Sequence, residues 1–384
     1  MKAEVAFPPL LAAARALKPY TTSQRWHTRT GLLYLHADGA TLTLSATTGE
    51  ETASVPLNGA VSDGWCALAP DTLIKTLTAI KPAGRAAQAA AVTLHGEAGR
   101  LCLSVGDDPT VGLDTETETP DGAALTVAGQ PAPAERLVTA GPAADWCDLL
   151  AGVATAAGRE VARPELAVVR LHRDHPRVVL MVEATDSYRI HRGTWGDPDG
   201  DPVDVRIPAE AAERAVRLLH TLDPTGQVRV HADDTHVVWR TDRLRLAATT
   251  GGRFFPNLEK IGEDALDDAT ITITVDRADL LAALSTAHHL AATTRQARVR
   301  LDPGRAGVLD VVVRADSGAP MYTAPVTVNR LAGPARTLIL NPAFTRDAVA
   351  FLDGDRVEVH ASADRLPIYL RGDRRHAIVM QIAA

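Results

Sequence analysis

Aromatic side chains are scarce: five Trp, five Tyr and five Phe in 384 residues. Cores must therefore be filled by Ala, Val and Leu, which carry most of the 46% hydrophobic content. Lysine is rare as well, supplying only five of the 40 basic residues. With abundant Ala, Asp and Gly, that reads as a GC-rich coding bias and carries no functional signal. Cys66, Cys102 and Cys147 have no close spacing, which excludes a disulfide framework and a structural zinc site. No run reaches the roughly 18 apolar residues that a bilayer span needs. The opening MKAEVAFPPLLAAARALKP is interrupted by charge and lacks a polar cleavage region, so it reads as strand and helix rather than signal peptide. The expectation is a soluble cytoplasmic protein. An excess of positive charge is also missing, since the formal net charge is −7. A protein gripping nucleic acid over its whole surface should be basic, so any such role must use a local face or loose contacts.

Catalytic signatures are missing too. There is no phosphate loop, dinucleotide glycine fingerprint, H-E-x-x-H or nucleophile elbow. His172-Arg173-Asp174-His175 falls between two expected strands and reads as a surface hairpin. His288 and His289 are adjacent on an expected helix, point to different sides and cannot share a metal. Gly196-Asp197-Pro198-Asp199-Gly200-Asp201-Pro202 resembles a calcium loop in composition only, because its prolines and missing distal glutamate break that pattern. Neither a catalytic residue, a metal nor a cofactor is expected.

What the chain does have is a repeat. Leucine–alanine helices recur at Leu10-Leu11, Leu149-Leu150 and Leu280-Leu281, with the leucine pairs 139 and 131 residues apart. A proline opens a second amphipathic helix in each third, at Pro70, Pro208 and Pro342, 138 and 134 residues apart. Two markers with nearly one period predict a single fold used three times, which favours a built surface over one catalytic cleft. Runs such as AVVRLHR, RVVLMVEAT, HVVWRT, VLDVVVRAD, RVEVHAS and IYLRG are short, β-branched and partly alternating, as half-buried antiparallel strands should be. Each third is thus an α+β unit of two helices on antiparallel sheet. Polar stretches at Ala128–Ala134 and Gly262–Asp268 mark the expected boundaries, giving domains 1–127, 128–262 and 263–384. Asn341 should cap the helix opened by Pro342, and Pro208 should occupy the first turn of its own helix. In that helix Ala211, Ala215, Leu218, Leu219 and Leu222 form the apolar stripe, leaving Arg214 and Arg217 on an exposed side. Lys75 and Lys81 hold a similar place in the first third, and on pattern alone these are solvated helix faces.

Three segments together carry a family resemblance. Ala184-Thr185-Asp186-Ser187-Tyr188-Arg189-Ile190 is similar to A-T-D-G-H-R-L, and Gly252-Arg253-Phe254-Phe255-Pro256-Asn257-Leu258-Glu259-Lys260-Ile261 to G-R-F-P-D-Y-x-x-V. Leu340-Asn341-Pro342-Ala343-Phe344 and the closing Ile378-Val379-Met380-Gln381-Ile382-Ala383-Ala384 are similar to F-N-x-x-Y-L and V-M-P-M-R-L. In this order, over a threefold repeat, they resemble the bacterial DNA polymerase III beta subunit, the replicative sliding clamp.

The resemblance implies half of a ring: two chains head to tail, with helices lining a hole around double-stranded DNA. It gives Arg214, Arg217, Lys75 and Lys81, and more weakly Arg25 and Arg29, a second reading as DNA-facing residues. It places the homodimer contact near His289-Leu290. It further implies a hydrophobic pocket where the replicative polymerase, the clamp loader and other users insert short peptide motifs. Carried over position by position, the pocket comprises Leu166, Thr185, Tyr188, Arg189, Ile190, Pro256, Lys260 and Ile261, followed by Asn341, Phe344, Leu366, Val379, Met380 and Ile382. For Ile190 and Val379 an ordinary core-strand role stands beside that one. Ser187-Tyr188 in place of Gly-His, the Phe254-Phe255 pair, and Gln381 and Ala383 in place of Pro and Arg depart from the family pattern. They leave open a clamp-like paralogue with an altered pocket, whether inhibitor-resistant or a non-replicative scaffold.

Overall fold

A computed structural model describes residues 1–21, 31–81, 90–97, 99–106, 110–115, 136–160, 162–175, 179–196, 201–252, 254–305, 307–362 and 366–382. Among these, one order of elements occurs three times: strand, helix, three strands, strand, helix, three strands, with the short strand Ala60–Ser62 added in the first copy. The six helices expected from the leucine and proline markers are Phe7–Leu17, Pro70–Ala79, Ala143–Ala154, Ala209–Leu222, Arg277–Ala291 and Pro342–Phe351. Every sheet pairing is antiparallel. The fold is α+β as expected.

By contact density the chain forms two units, one of Met1–Cys147 with Glu213–Thr250, the other of Asp148–Ala212 with Gly251–Ala384. The first holds a five-stranded sheet and an eight-stranded sheet, the second a twelve-stranded sheet. Their cores are mainly Ala, Val and Leu, as the shortage of rings requires; Trp146 and Trp239 are the largest fully buried side chains.

Local chemistry sets the helix starts. Asn341 Oδ1 accepts from the backbone N–H groups of Ala343 and Phe344 at 3.0 and 3.1 Å, the expected cap. Asp276 does the same for Ala278 and Asp279. Pro208 differs from expectation: it ends the strand Val203–Pro208, opposite Val168, and the helix begins one residue later.

Most of the polar stretch Gly262–Asp268 belongs to the helix Leu258–Asp267, capped by Asn257 and burying Leu258, Gly262 and Ala265. One further expectation is corrected. His172 and Arg173 are buried in the strand Val168–Arg173 rather than set in a surface turn, because Glu183 on the next strand meets His172 Nε2 at 3.2 Å. The connector Ala128–Ala134 lies outside the described residues.

Candidate functional site

The second unit carries a cleft of about 360 Å³ lined by Leu166, Thr185, Tyr188, Arg189, Ile190, Pro256, Ile261 and Met380, eight of the residues the sequence pointed to. Its floor is buried hydrocarbon from Leu166, Ile190, Leu258 and Ile378. Its mouth is exposed hydrocarbon: among the described residues nine large apolar side chains are exposed, and Tyr188, Phe254, Ile261 and Met380 all line this cleft. Tyr188 is 57% and Phe254 69% exposed. Clustered apolar exposure of this kind marks an interaction site, whereas single exposed hydrophobes are ordinary.

A tight turn holds the mouth open. Asp186 Oδ1 accepts from the backbone N–H groups of Tyr188 and Arg189 at 2.9 and 3.0 Å. Thr185 Oγ1 donates to the Arg189 carbonyl at 2.7 Å and accepts from the Ser187 N–H at 3.1 Å. Ser187 itself sits at φ +76, in the left-handed region. The Arg189 guanidinium contacts Asp186 at 3.0 Å and Asp347 at 2.9 Å, and lies 4.4 Å from the Phe344 ring centre. Phe344 in turn stacks on Tyr188, with centroids 6.5 Å apart. Phe344 is therefore a support behind Tyr188, absent from the lining itself.

The remaining expected pocket residues fall elsewhere. Asn341 is committed to its cap, and Lys260 is exposed on the helix after Asn257. Val379 is fully buried, while its neighbour Ile378, opposite Ile190 in the ladder, reaches the cleft. Leu366 is exposed one residue before the lining residue Pro367, its carbonyl accepting from Gln381 Nε2 at 2.6 Å. Ile382 is tied by its N–H to the Ile339 carbonyl at 2.8 Å. Lining residues outside the expected set are Arg163, Glu165, Ser187, Phe254, Leu258, Pro367 and Ile378, of which Ser187 and Phe254 stand out in the sequence as departures from the family pattern. The unusual Phe254-Phe255 pair was the available signal: Phe255 turns into the core, 5.6 Å from the Arg170 guanidinium, and Phe254 turns out.

The helix Leu258–Asp267, which supplies Leu258 and Ile261 to the cleft, lies on a charged sheet face. A Cβ added at Gly262 would come within 3.7–3.9 Å of Tyr369, Ile378 and Arg192. Ladder pairing aligns Arg206, Arg170, Glu183, Arg192 and His376 in one row across five strands. Glu183, nearly inaccessible, meets Arg192 at 2.8 Å and Arg170 at 3.2 Å. Burial pushes its carboxyl up, but the His172 hydrogen bond and the charges of Arg192 and Arg170 outweigh that and hold it below the ordinary glutamate value. His376 is pushed down to about 4, first by burial and then by Arg192.

The cationic residues divide. Lys75 and Lys81 are exposed at and just beyond the helix Pro70–Ala79, and Arg217 is exposed with Glu213 Oε2 at 4.0 Å. Arg214 is a correction to the expected exposed pair: its guanidinium is turned onto the buried Glu51 carboxylate, so its charge is cancelled within the fold. Leu290 is half-buried on Arg277–Ala291. Arg25 and Arg29 lie outside the described residues. Among the described residues no group of three His, Cys, Asp or Glu could hold a metal, and no helix is long and apolar enough to cross a membrane.

No family model matches the sequence, and no curated protein matches it. Solved structures do match along its full length. The beta subunit from DNA polymerase of Streptococcus pyogenes has a TM-score of 0.85 at 13% identity, covering 100% of both chains. The DNA polymerase sliding clamp from Bacillus subtilis has a TM-score of 0.85 at 15% identity, covering 100% of this chain and 99% of that one. A sliding clamp from Pseudomonas aeruginosa bound to griselimycin has a TM-score of 0.82 at 17% identity, covering 100% of both. The chain has the sliding-clamp fold.

Proposed function

We propose that this chain is a divergent DNA sliding clamp, a non-catalytic processivity factor of the cytoplasm. On this reading residues 1–127, 128–262 and 263–384 are three clamp domains, and two copies close head to tail around duplex DNA. The observation that carries it is the preformed apolar cleft with Tyr188, Phe254, Ile261 and Met380 at its mouth, set in a sliding-clamp fold. A concave site of this size, with aliphatic walls, an adaptable methionine and a few polar groups, suits a short apolar-aromatic peptide from a polymerase or clamp loader. A ring holds DNA by topology, so a net charge of −7 is compatible with loose, screened phosphate contacts. Lys75, Lys81 and Arg217 support such contacts, with Arg25 and Arg29 as further candidates.

The test has two arms. The protein should stay on nicked circular DNA after loading and slide off once the circle is cut. An apolar-aromatic peptide should bind in the cleft, and Tyr188→Ala should weaken it. Release from intact circles as fast as from linear DNA would refute the ring reading.

A second reading, a clamp-like paralogue with an altered pocket, is favoured by the left-handed Ser187 and the Arg163 bound to it at the mouth. It predicts that a peptide suited to an ordinary clamp binds this one poorly; equal affinity removes it.

A further inference from the structure

The middle and last copies of the repeat can be laid over each other strand by strand. Val169 faces Ile207 just before one helix, and Val299 faces Leu340 just before the other, so Arg300 takes the place of Arg170. The neighbouring strand follows: Arg170 faces Glu183 and Arg300 faces Val312, which sets Arg314 where the middle copy has Thr185. The chain leaving each copy agrees as well. Gly251 N–H donates to the Arg206 carbonyl and Ile382 N–H to the Ile339 carbonyl, and these acceptors lie opposite Arg170 and Arg300.

At this shared place each copy has a hollow, and the two differ in character. In the middle copy it is the apolar cleft, bordered by Thr185 and Ser187. In the last copy it is a pocket of about 230 Å³ lined by Arg298, Arg300 and Arg314 against one carboxylate, Asp316. The differences between the copies explain the surplus of positive charge. Arg170 is matched by two acids, Glu183 at 3.2 Å and Asp204 at 2.7 Å. Around Arg300 their places are taken by Val312 and Thr337. Arg298 stands where the middle copy has Val168, and the ladder register carries it beside Arg314.

The internal partners of these arginines are few. Arg300 Nη2 reaches Thr337 Oγ1 and Asp302 Oδ1 only at 3.4 and 3.5 Å, and its buried Nε makes no hydrogen bond. Among the described residues Arg298 has no hydrogen bond or ion pair, and Arg314 donates to the uncharged Gly318 carbonyl at 2.7 Å. Asp316 is engaged elsewhere, accepting from the Arg295 backbone N–H at 2.9 Å. The turn before Arg298 is held by the Ala297 N–H, which donates to Thr294 Oγ1 at 3.2 Å. Three guanidiniums fixed around one hollow repel one another, and an anion seated between them turns that repulsion into attraction.

We infer that this pocket binds a phosphoryl anion of about the size of inorganic pyrophosphate. Guanidinium forks match phosphate oxygens two at a time, which an ammonium does not. No aromatic ring is among the lining residues, so a nucleotide would be held by its phosphate tail with nothing to stack its base. The site shares no residue with the apolar cleft and does not depend on the ring reading.

Calorimetric titration of the full chain with pyrophosphate at low salt should show one saturable site per chain. A nucleoside triphosphate should bind comparably, and the unphosphorylated nucleoside not at all. Arg298→Ala and Arg314→Ala should each weaken pyrophosphate binding by about tenfold, the worth of a hydrogen bond to a charged group. Thr337→Asp, which restores the acid of the middle copy beside Arg300, should weaken it too, while Arg217→Ala on the helix Ala209–Leu222 should leave it unchanged. Uptake that does not saturate, or that survives both arginine substitutions, overturns the site. Binding of the nucleoside triphosphate without binding of pyrophosphate overturns the assignment to a bare phosphoryl group.

Discussion

Arg163 Nη1 donates to Ser187 Oγ at 2.9 Å, and Ser187 is one of two non-glycine residues with positive φ among those described. The hydroxyl thus anchors a guanidinium at the mouth of the cleft from a backbone position that L-residues avoid, at a cost of roughly 1–2 kcal/mol. Ser187→Gly removes the strain together with the anchor, while Ser187→Ala keeps the strain and loses the anchor. The glycine variant should therefore melt above the alanine variant, by about 1 kcal/mol in unfolding free energy. Ser187→Val should melt lowest, since a β-branched residue is least tolerant of this conformation. Thermal denaturation of the three variants checks the order.

Tyr188 is an exposed ring at the mouth of the cleft, backed by Phe344. Tyr188→Ala should weaken binding of an apolar-aromatic peptide by about 2 kcal/mol, roughly thirtyfold. Phe344→Leu should produce a smaller loss, because it removes a support rather than a contact. Val379→Ala should instead lower stability by about 1–2 kcal/mol through lost core volume. Calorimetric titration beside denaturant melts separates the two kinds of effect.

Arg214 and Arg217 share a helix but not a role. Arg214→Ala leaves Glu51 buried without its partner and should cost about 3 kcal/mol of stability. Arg217→Ala, on the exposed face, should change stability by less than about 0.5 kcal/mol. It should instead weaken low-salt DNA association. Urea unfolding of both variants is the measurement.

His191 is fully buried: its Nδ1 lies 2.8 Å from the Gly152 carbonyl, and its ring stacks on Phe351 at 4.7 Å. Burial pushes it down from 6.5 to about 4. Between those values the unfolded chain binds more protons than the folded one, so stability rises with pH. The contribution is complete above about 6.5 and lost as pH falls through 4, amounting to about 3 kcal/mol. His376 acts in the same direction, and Glu183 extends the loss below its ordinary value of 4.5. Denaturant midpoints measured from pH 7 to 4 should fall steadily, and His191→Phe should flatten the decline.

Six helices were legible because each advertises itself by a leucine pair or an opening proline. A seventh helix among the described residues, Leu258–Asp267, buries only Leu258, Gly262 and Ala265, too sparse a stripe to stand out from its acidic surroundings. The cleft was legible where sequence similarity and exposure coincide, as at Tyr188 and Met380. At Val379, for which the sequence leaves a core-strand role open, neighbouring strand residues face opposite ways, so Val379 is buried and Ile378 lines the cleft. Arg214 was misread because helical spacing shows that it leaves the apolar stripe, but not that Glu51, distant in sequence, waits beneath it.

The cleft draws on residues from Arg163 to Met380, and the Met380 N–H is bonded to the Tyr188 carbonyl at 2.9 Å. No shorter stretch of chain contains a whole one. During synthesis a growing chain with Arg163 and Tyr188 already folded would still offer partners an unfinished wall. On the peptide-docking reading proposed above, a nascent chain would bind no partner there until residue 380 had been made, so docking would be delayed relative to the folding of Arg163 and Tyr188.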